Sequence, residues 1–143
     1  MKSKTGLIVL ILIIVGIAIY GYFKAIPGAQ NKEGNLPKIE ISPGSFDFGE
    51  IEYGQIVKQS FTIKNIGEEV LEIKRVATSC ACTTAKAAQE IISPGQKTEL
   101  LVTYDSGAMS GSHGRGDQDR IIYIKSNDPI NPQIEVTISS YVK

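Results

Sequence analysis

The sequence predicts an all-β domain, an antiparallel β-sandwich of about seven strands, preceded by one N-terminal transmembrane helix. From Lys38 onward, apolar residues recur at every second position in short segments that Gly, Pro and Asn turns separate. This is the pattern of strands with one buried face. Before that region the chain runs without a charge from Thr5 to Phe23, which is typical of a segment buried in a bilayer.

The apolar segment at residues 7–23 is interpreted as a retained membrane anchor. At about 1.5 Å per residue it reaches roughly 25 Å, slightly less than a typical hydrocarbon core. Lys24 follows it, and Tyr20 and Tyr22 suit the boundary with the lipid headgroups. The alternative is a cleaved signal peptide. The apolar run is longer than a usual signal-peptide core and no Ala-x-Ala site follows it, so we expect retention.

The flanking lysines predict the orientation. Lys2 and Lys4 favour a cytoplasmic tail at residues 1–6, whereas Lys24 and Lys32 argue mildly for the opposite orientation. Because the tail before the first apolar helix usually dominates, we expect a single-pass protein of the bacterial cytoplasmic membrane. Its domain would lie in the periplasm or outside the cell, where disulfides persist.

Residues 24–37 mix Gly, Pro, Asn and charge without periodicity and are predicted to be a flexible linker. The folded domain is expected at residues 38–143. In order, its predicted strands are KIEIS, SFDFG, QIVKQSFTIKN, VLEIKRV, TELLVTY, RIIYIKS and QIEVTISSYV.

Alternation defines the buried face of most of these strands. RIIYIKS is nearly continuous in apolar residues and predicts a strand buried on both faces. The turn SNDPINP holds two prolines, which cannot donate to a strand ladder. Short strands at this spacing over about 100 residues favour an immunoglobulin-like sandwich. The expected inward residues are Val57, Phe61, Ile63, Leu71, Ile73, Leu100, Val102, Tyr104, Ile134, Val136 and Ile138.

Three short motifs follow one another along this region. They are the Phe-Asp-Phe-Gly opening at residues 46–49, the Asn-x-Gly turn at 65–67 and the Ser-Cys-x-Cys-Thr segment at 79–83. In this combination the chain resembles the bacterial domain of unknown function 1573 family. That family is similar to Hydin-type and major-sperm-protein-type immunoglobulin-like domains. The resemblance implies a seven-stranded sandwich, often attached to an envelope, and implies no known activity. Ala81 stands where glycine is frequent.

Composition argues against several function classes. Fifteen basic and fifteen acidic residues cancel, and tryptophan is absent. Nucleic-acid binding, which normally needs a basic surface, is therefore not expected. One histidine cannot build a multi-histidine metal site. No catalytic signature is present, so we expect no enzyme, no cofactor and no small-molecule substrate.

The glycine-rich segment Ser106–Gln118 matches neither a phosphate-binding loop nor a dinucleotide fingerprint. Its Arg-Gly-Asp triplet at 115–117 is more simply explained as a chance tripeptide than as an adhesion ligand. Ser112, His113 and Asp117 lie too close on one flexible loop to form a rigid catalytic triad. We expect this segment to be mobile and dispensable for folding, because it lacks apolar residues to hold it.

The two cysteines, Cys80 and Cys82, are the best chemical candidates. In a regular strand they share a face about 6.6 Å apart, too far for a disulfide. A bulge or turn would permit one. Three interpretations stay open: structural cysteines or a static disulfide, thiol-redox chemistry, and copper(I) binding by two soft ligands. His113 is a secondary candidate ligand, provided that its loop folds over the pair.

The sequence therefore supports two functional hypotheses. The first is a membrane-anchored, extracytoplasmic, immunoglobulin-like binding or structural module of a bacterial envelope that recruits a protein partner through edge strands or end loops. The alternative is a thiol-redox or copper-handling protein that uses Cys80 and Cys82. Fold alone does not decide between them.

Overall fold

The computed structural model describes residues 13–17, 20, 35–109 and 111–143. Contacts divide the chain into two compact units, Met1–Gly34 and Asn35–Lys143. Within the first unit, residues 13–17 and Tyr20 are helical. None of the helices in the described part is long and apolar enough to cross a membrane.

The predictions for the N-terminal region fall largely outside the described residues. This applies to the cytoplasmic tail at 1–6, to most of the anchor at 7–23 and to most of the linker at 24–37. They stay predictions.

The second unit is an all-β sandwich of two sheets, which confirms this part of the predicted fold class. Its described residues form nine strands: β1 (Ile39–Ser42), β2 (Ser45–Ile51), β3 (Ile56–Asn65), β4 (Leu71–Thr78), β5 (Thr83–Ala87), β6 (Ile91–Ile92), β7 (Lys97–Asp105), β8 (Gly116–Ser126) and β9 (Gln133–Val142). One sheet has the order β1-β3-β7-β5 and the other the order β2-β9-β8-β4-β6. The expected number of about seven strands was too low, because the two short strands β5 and β6 were not recognised.

The prediction of a purely antiparallel sandwich was wrong at one pair. β2 lies parallel to β9, with Ser45 opposite Thr137. Only Pro43 and Gly44 separate β1 from β2, so the chain crosses from one sheet to the other without folding back. β2 therefore keeps the direction of β1.

The Phe-Asp-Phe-Gly motif forms an irregular stretch of β2. The Asp47 carboxylate accepts a hydrogen bond from the Gly49 amide at 2.9 Å. The register against β9 shifts between Asp47 and Glu50. Gly49 has a φ of 67°, which glycine adopts without the steric cost of a side chain.

Alternating residues fill the core as predicted. The inward faces of β3, β4, β7 and β9 are those expected from the sequence, although Val57 and Ile134 are only partly buried. Each fully buried aliphatic or aromatic side chain contributes about 1.5–3 kcal/mol. The largest side chains that are almost fully inaccessible include Tyr104, Phe61, Ile63, Leu71, Leu100, Val102, Val136 and Ile138.

The prediction that RIIYIKS is buried on both faces was wrong. In β8, Ile122 and Ile124 are fully buried, whereas Ile121 and Tyr123 on the other face are only partly covered. β8 is central in its sheet. The inward-facing positions of β8 therefore also include Arg120, which lies two positions before Ile122.

The strand directions define two ends of the sandwich. The entry end holds residues 35–38, 66–70 and 127–132, because Ile39 pairs with Asn65 where β3 finishes. The far end holds residues 52–55, 79–82 and 111–115. The eight residues of β4 run from one end to the other, a distance of about 26 Å at the usual rise per strand residue.

A fully buried asparagine organises the entry end. The Asn65 side chain donates to the carbonyls of Glu69 (2.7 Å) and Ile92 (2.9 Å) and accepts from the Gly67 amide (2.9 Å). A Cβ on Gly67 would lie 2.1 Å from the Leu36 carbonyl oxygen. The Asn-x-Gly motif is therefore explained by packing against the segment that enters the domain.

The segment Ser106–Gln118 is not the unanchored loop that was expected. It contains a 3-10 helix at Gly111–Gly114, and β8 already begins at Gly116. The buried Ser106 hydroxyl lies within hydrogen-bond distance of the Glu52 and Gln55 carbonyls. Met109 packs against the core. Polar contacts and one apolar side chain thus hold this segment.

Candidate functional site

The two cysteines lie in a turn between β4 and β5, here called the disulfide turn and formed by residues 79–82. Hydrogen bonds attach it to both sheets. The Ser79 amide donates to the Ile121 carbonyl (2.9 Å), and the Ser79 hydroxyl accepts from the Ile121 amide (3.0 Å). On the other side, the Cys82 carbonyl accepts from the Asp105 amide (2.9 Å). Because β8 and β7 belong to different sheets, the turn bridges the two layers.

The flanking threonines fix the chain reversal. Thr78 Oγ1 lies 3.0 Å from the Cys80 carbonyl oxygen and 2.9 Å from the Thr83 carbonyl oxygen. The Thr83 amide donates to the Cys80 carbonyl at 3.4 Å. A threonine at the end of a strand satisfies turn carbonyls in this way because its short hydroxyl reaches nearby backbone groups.

Cys80 and Cys82 form a disulfide, with their Cα atoms 5.3 Å apart. The assumption of a regular strand through this segment does not hold, because β4 ends at Thr78 and β5 begins at Thr83. The turn brings the two Cα atoms within the range that a disulfide requires.

The two sulfurs have different environments. Cys82 is 3% exposed and belongs to the core, whereas Cys80 is only partly buried. Thr83 Oγ1 lies 3.6 Å from the Cys80 sulfur and 3.7 Å from the Cys82 sulfur. Cys80 is therefore the more accessible of the two cysteines, and Cys82 is shielded from solvent.

Arg120 contacts the shielded sulfur. Its Nε donates to Cys82 Sγ at 3.0 Å, and its guanidinium carbon lies 5.6 Å from the centre of the Tyr104 ring. The remaining guanidinium nitrogens donate to the Asp119 carbonyl (2.7 Å) and to Gln118 Oε1. Arg120 thus reaches from β8 across the open end of the sandwich to the other sheet.

An open groove of about 530 Å³ borders the disulfide turn. Residues 117–119 of β8 extend beyond the turn and form one wall, since Thr78 pairs with Ile122. The Arg115 side chain, another part of the lining, packs over the Tyr53 ring at 4.6 Å. The residues that line this groove include Cys80, Met109, Arg115, Asp117, Asp119 and Arg120. The far end therefore presents Cys80 beside cationic and anionic side chains.

The predicted ligand His113 lies in the 3-10 helix Gly111–Gly114, but its side chain is outside the described residues. Among residues 13–17, 20, 35–109 and 111–143, no group of three or more His, Cys, Asp or Glu side chains is arranged to hold a metal ion. Copper binding through Cys80, Cys82 and His113 stays a prediction.

Sequence reasoning missed Arg120, Thr83 and Met109 as parts of this site. A signal for Arg120 was present, because it shares the inward register of Ile122 and Ile124. Because RIIYIKS was interpreted as a strand buried on both faces, the inward position of Arg120 was not recognised. Met109 gave no local signal, because its position depends on how a long connection folds.

The fold is shared with several solved structures. A protein of unknown function from Porphyromonas gingivalis W83 is 27% identical, with a TM-score of 0.66 over 73% of this chain and 46% of that chain. The chain thus spans about half of that protein's length. The ASH/PapD-like domain 7 of human CEP192 is 13% identical, with a TM-score of 0.59 over 76% of this chain and 87% of that domain. This second likeness shows a common fold alone.

No curated protein matches the sequence significantly. A family described as a protein of unknown function (DUF1573) matches residues 39–142, nearly the whole sandwich. This confirms the resemblance found in the sequence motifs. The chain belongs to the DUF1573 family.

Proposed function

We propose that this chain is a membrane-anchored, extracytoplasmic, immunoglobulin-like binding module of a bacterial envelope that recruits a protein partner at its far end. The apolar segment 7–23 and the lysines before it support the anchor and the orientation. The linker 24–37 would connect that anchor to the entry end of the sandwich.

The groove beside the disulfide turn is the observation that carries the proposal. It lies at the far end of the sandwich, opposite to the entry end. Its lining combines the cationic Arg115 and Arg120 with the anionic Asp117 and Asp119. Opposite charges on one surface favour a partner with complementary charges over a neutral ligand, because charge complementarity fixes orientation and specificity.

Three of the four sheet edges are less suitable for partner binding than the groove. β1 has four residues and β6 has two. β5 is five residues long and carries the exposed Lys86. Short strands and edge lysines are the devices by which sandwiches prevent strand addition.

Thiol-redox chemistry is the second candidate function, and the contact between Arg120 and Cys82 favours it. Copper handling receives less support. A thiolate is the copper ligand, and in the disulfide each sulfur is bonded to the other. Copper binding would require prior reduction.

Site-specific photo-crosslinking in cells tests partner recruitment. A photoreactive residue would replace the exposed Asp117 or Asp119 at the groove, and Ile130 or Glu69 at the entry end as matched controls. We expect a discrete cross-linked protein from the groove positions and none from the controls. Cross-links from the entry end alone, or from no position, would contradict the proposal.

A further inference from the structure

We propose that the disulfide turn is a thiol–disulfide exchange site, and that the recruited partner is a protein with a pair of exposed thiols. The inference rests on the proposed function, because the groove that binds the partner also exposes Cys80. Each chain would take two electrons from one partner dithiol.

The unequal burial of the two sulfurs defines the direction of attack. Cys80 lines the groove and is partly accessible. Cys82 is 3% exposed. A partner thiolate therefore reaches Cys80, and Cys82 is the leaving group. Access to one sulfur is among the factors that set the rate of exchange.

Arg120 lies where the leaving thiolate forms. Its Nε–H already points at Cys82 Sγ at 3.0 Å. Among the described residues, no carboxylate is in ion-pair contact with Arg120; the ion pair that is present joins Lys143 and Glu50. Beside a neutral disulfide, the Arg120 guanidinium has only a weak hydrogen-bond acceptor. Beside a thiolate, it has a partner of opposite charge. Reduction thus creates the counter-charge that Arg120 lacks.

The exchange balances in two steps. The partner thiolate bonds to Cys80 Sγ, the Cys80–Cys82 bond breaks, and its electron pair stays on Cys82 as a thiolate beside Arg120. The second partner thiol, as its thiolate, then attacks the partner sulfur of the mixed disulfide. A disulfide forms in the partner, and Cys80 leaves as a thiolate that solvent protonates. The partner is oxidised and the disulfide turn is reduced.

Reduction kinetics of the full-length chain in detergent micelles test the role of Arg120, with dithiothreitol as the dithiol probe. Arg120→Gln removes the charge, Arg120→Lys keeps it, and Arg75→Gln is the matched control, an exposed arginine outside the groove. Loss of the cation beside the leaving thiolate predicts about three- to tenfold slower reduction of Arg120→Gln, because the charge on the leaving sulfur is only partly developed in the transition state. We expect Arg75→Gln to equal the wild type and Arg120→Lys to retain most of the rate.

A second readout separates charge from packing. In the reduced chain, the pH midpoint for alkylation of Cys82 should rise by about one unit in Arg120→Gln and not in Arg75→Gln. A purely structural role for Arg120 would not move this midpoint selectively. An unchanged rate and midpoint in Arg120→Gln, or equal effects in both arginine variants, would overturn the inference.

Single-cysteine variants test which sulfur is attacked. Cys82→Ser leaves Cys80 and should react rapidly with an aromatic disulfide reagent, whereas Cys80→Ser leaves the shielded Cys82 and should react at least about tenfold more slowly. Far-ultraviolet circular dichroism would check that both variants are folded. Comparable rates in two folded variants would overturn the assignment. If a variant is unfolded, mass spectrometry of the mixed disulfide formed by the wild-type chain shows directly which of the two cysteines was attacked.

The photo-crosslinking experiment distinguishes this inference from the proposed function. The double variant Cys80→Ser/Cys82→Ser should still cross-link its partner through residue 119, although it cannot exchange. A persistent cross-link together with an unchanged reduction rate in Arg120→Gln would overturn exchange and leave recruitment standing. Exchange with dithiothreitol as expected, but without any cross-link at the groove, would overturn recruitment and with it the protein substrate.

Discussion

The Asp128 carboxylate accepts a hydrogen bond from the Ile39 amide at 3.0 Å and thereby connects the β8–β9 turn of one sheet to β1 of the other. Its second oxygen accepts from the amides of Ile130 (2.8 Å) and Asn131 (3.0 Å). Burial opposes the charged form by desolvation. The three amide donors and the charge of Lys38 outweigh burial, so the pKa of Asp128 lies below its ordinary value.

This lowered pKa predicts a loss of stability in acid. Because the folded pKa is below the unfolded value of about 3.9, the stabilising contribution is complete above that pH and disappears as the pH falls through the folded pKa. Asp128→Asn should lower the free energy of unfolding at neutral pH by about 1.5–3 kcal/mol, the usual worth of hydrogen bonds to a charged group. Urea denaturation at several pH values measures both effects. The exposed Asp117→Asn is the control, and equal losses in the two variants would contradict the assignment.

Gly67 tests the packing at the entry end. In Gly67→Ala the new Cβ would lie 2.1 Å from the Leu36 carbonyl oxygen and 2.5 Å from the Lys38 amide nitrogen. Backbone atoms must move, so we expect a loss of about 1–3 kcal/mol in the free energy of unfolding, as for overpacked cores. Gly44→Ala meets no atom within 4 Å and should change little. Equal stabilities of the two variants by thermal denaturation would show that the entry segment is not packed as described.

The fold was predictable to the level of its layers and inward faces, because period two in β3, β7 and β9 reflects local burial. The parallel β2–β9 pair was not predictable. Nothing in Pro43–Gly44 distinguishes a chain that changes sheets from one that folds back into a hairpin. That choice depends on contacts between residues far apart in sequence, such as Ser45 with Thr137.

The site was predictable in part for the same reason. The cysteine pair stood out, and a turn was recognised as the condition for a disulfide. Arg120 is 38 residues from Cys82 along the chain, and only the pairing of β4 with β8 brings them together. The groove also depends on Met109, whose position follows from the 3-10 helix and the anchored Ser106.

Reduction of the disulfide should destabilise the domain only modestly. The bond closes so small a loop that chain entropy predicts about 1–2 kcal/mol. Urea denaturation of the full-length chain with and without a reductant measures this difference. Cys80→Ala/Cys82→Ala should be insensitive to the reductant. A loss large enough to unfold the reduced chain would indicate a mainly structural disulfide and weaken the exchange proposal.

The anchor makes its own prediction. If residues 7–23 span the bilayer, the chain should stay in the membrane pellet after alkaline carbonate extraction, and its N-terminus should lie before the apolar segment. A variant without residues 1–34 should be released into the supernatant. Release of the full-length chain, or a mature N-terminus near Gln30, would contradict retention of the anchor.

Thiol labelling on cells with an intact cytoplasmic membrane tests the central claim most directly, namely that the disulfide turn lies outside the cytoplasm and is open to partners. After the outer envelope is permeabilised, a membrane-impermeant maleimide would be added with or without prior treatment by an impermeant phosphine reductant. The account predicts labelling of Cys80 only after reduction, and no labelling of Cys80→Ser/Cys82→Ser. Labelling without the reductant would mean that the pair is reduced, and labelling only after lysis would place the domain in the cytoplasm; either result would contradict the account.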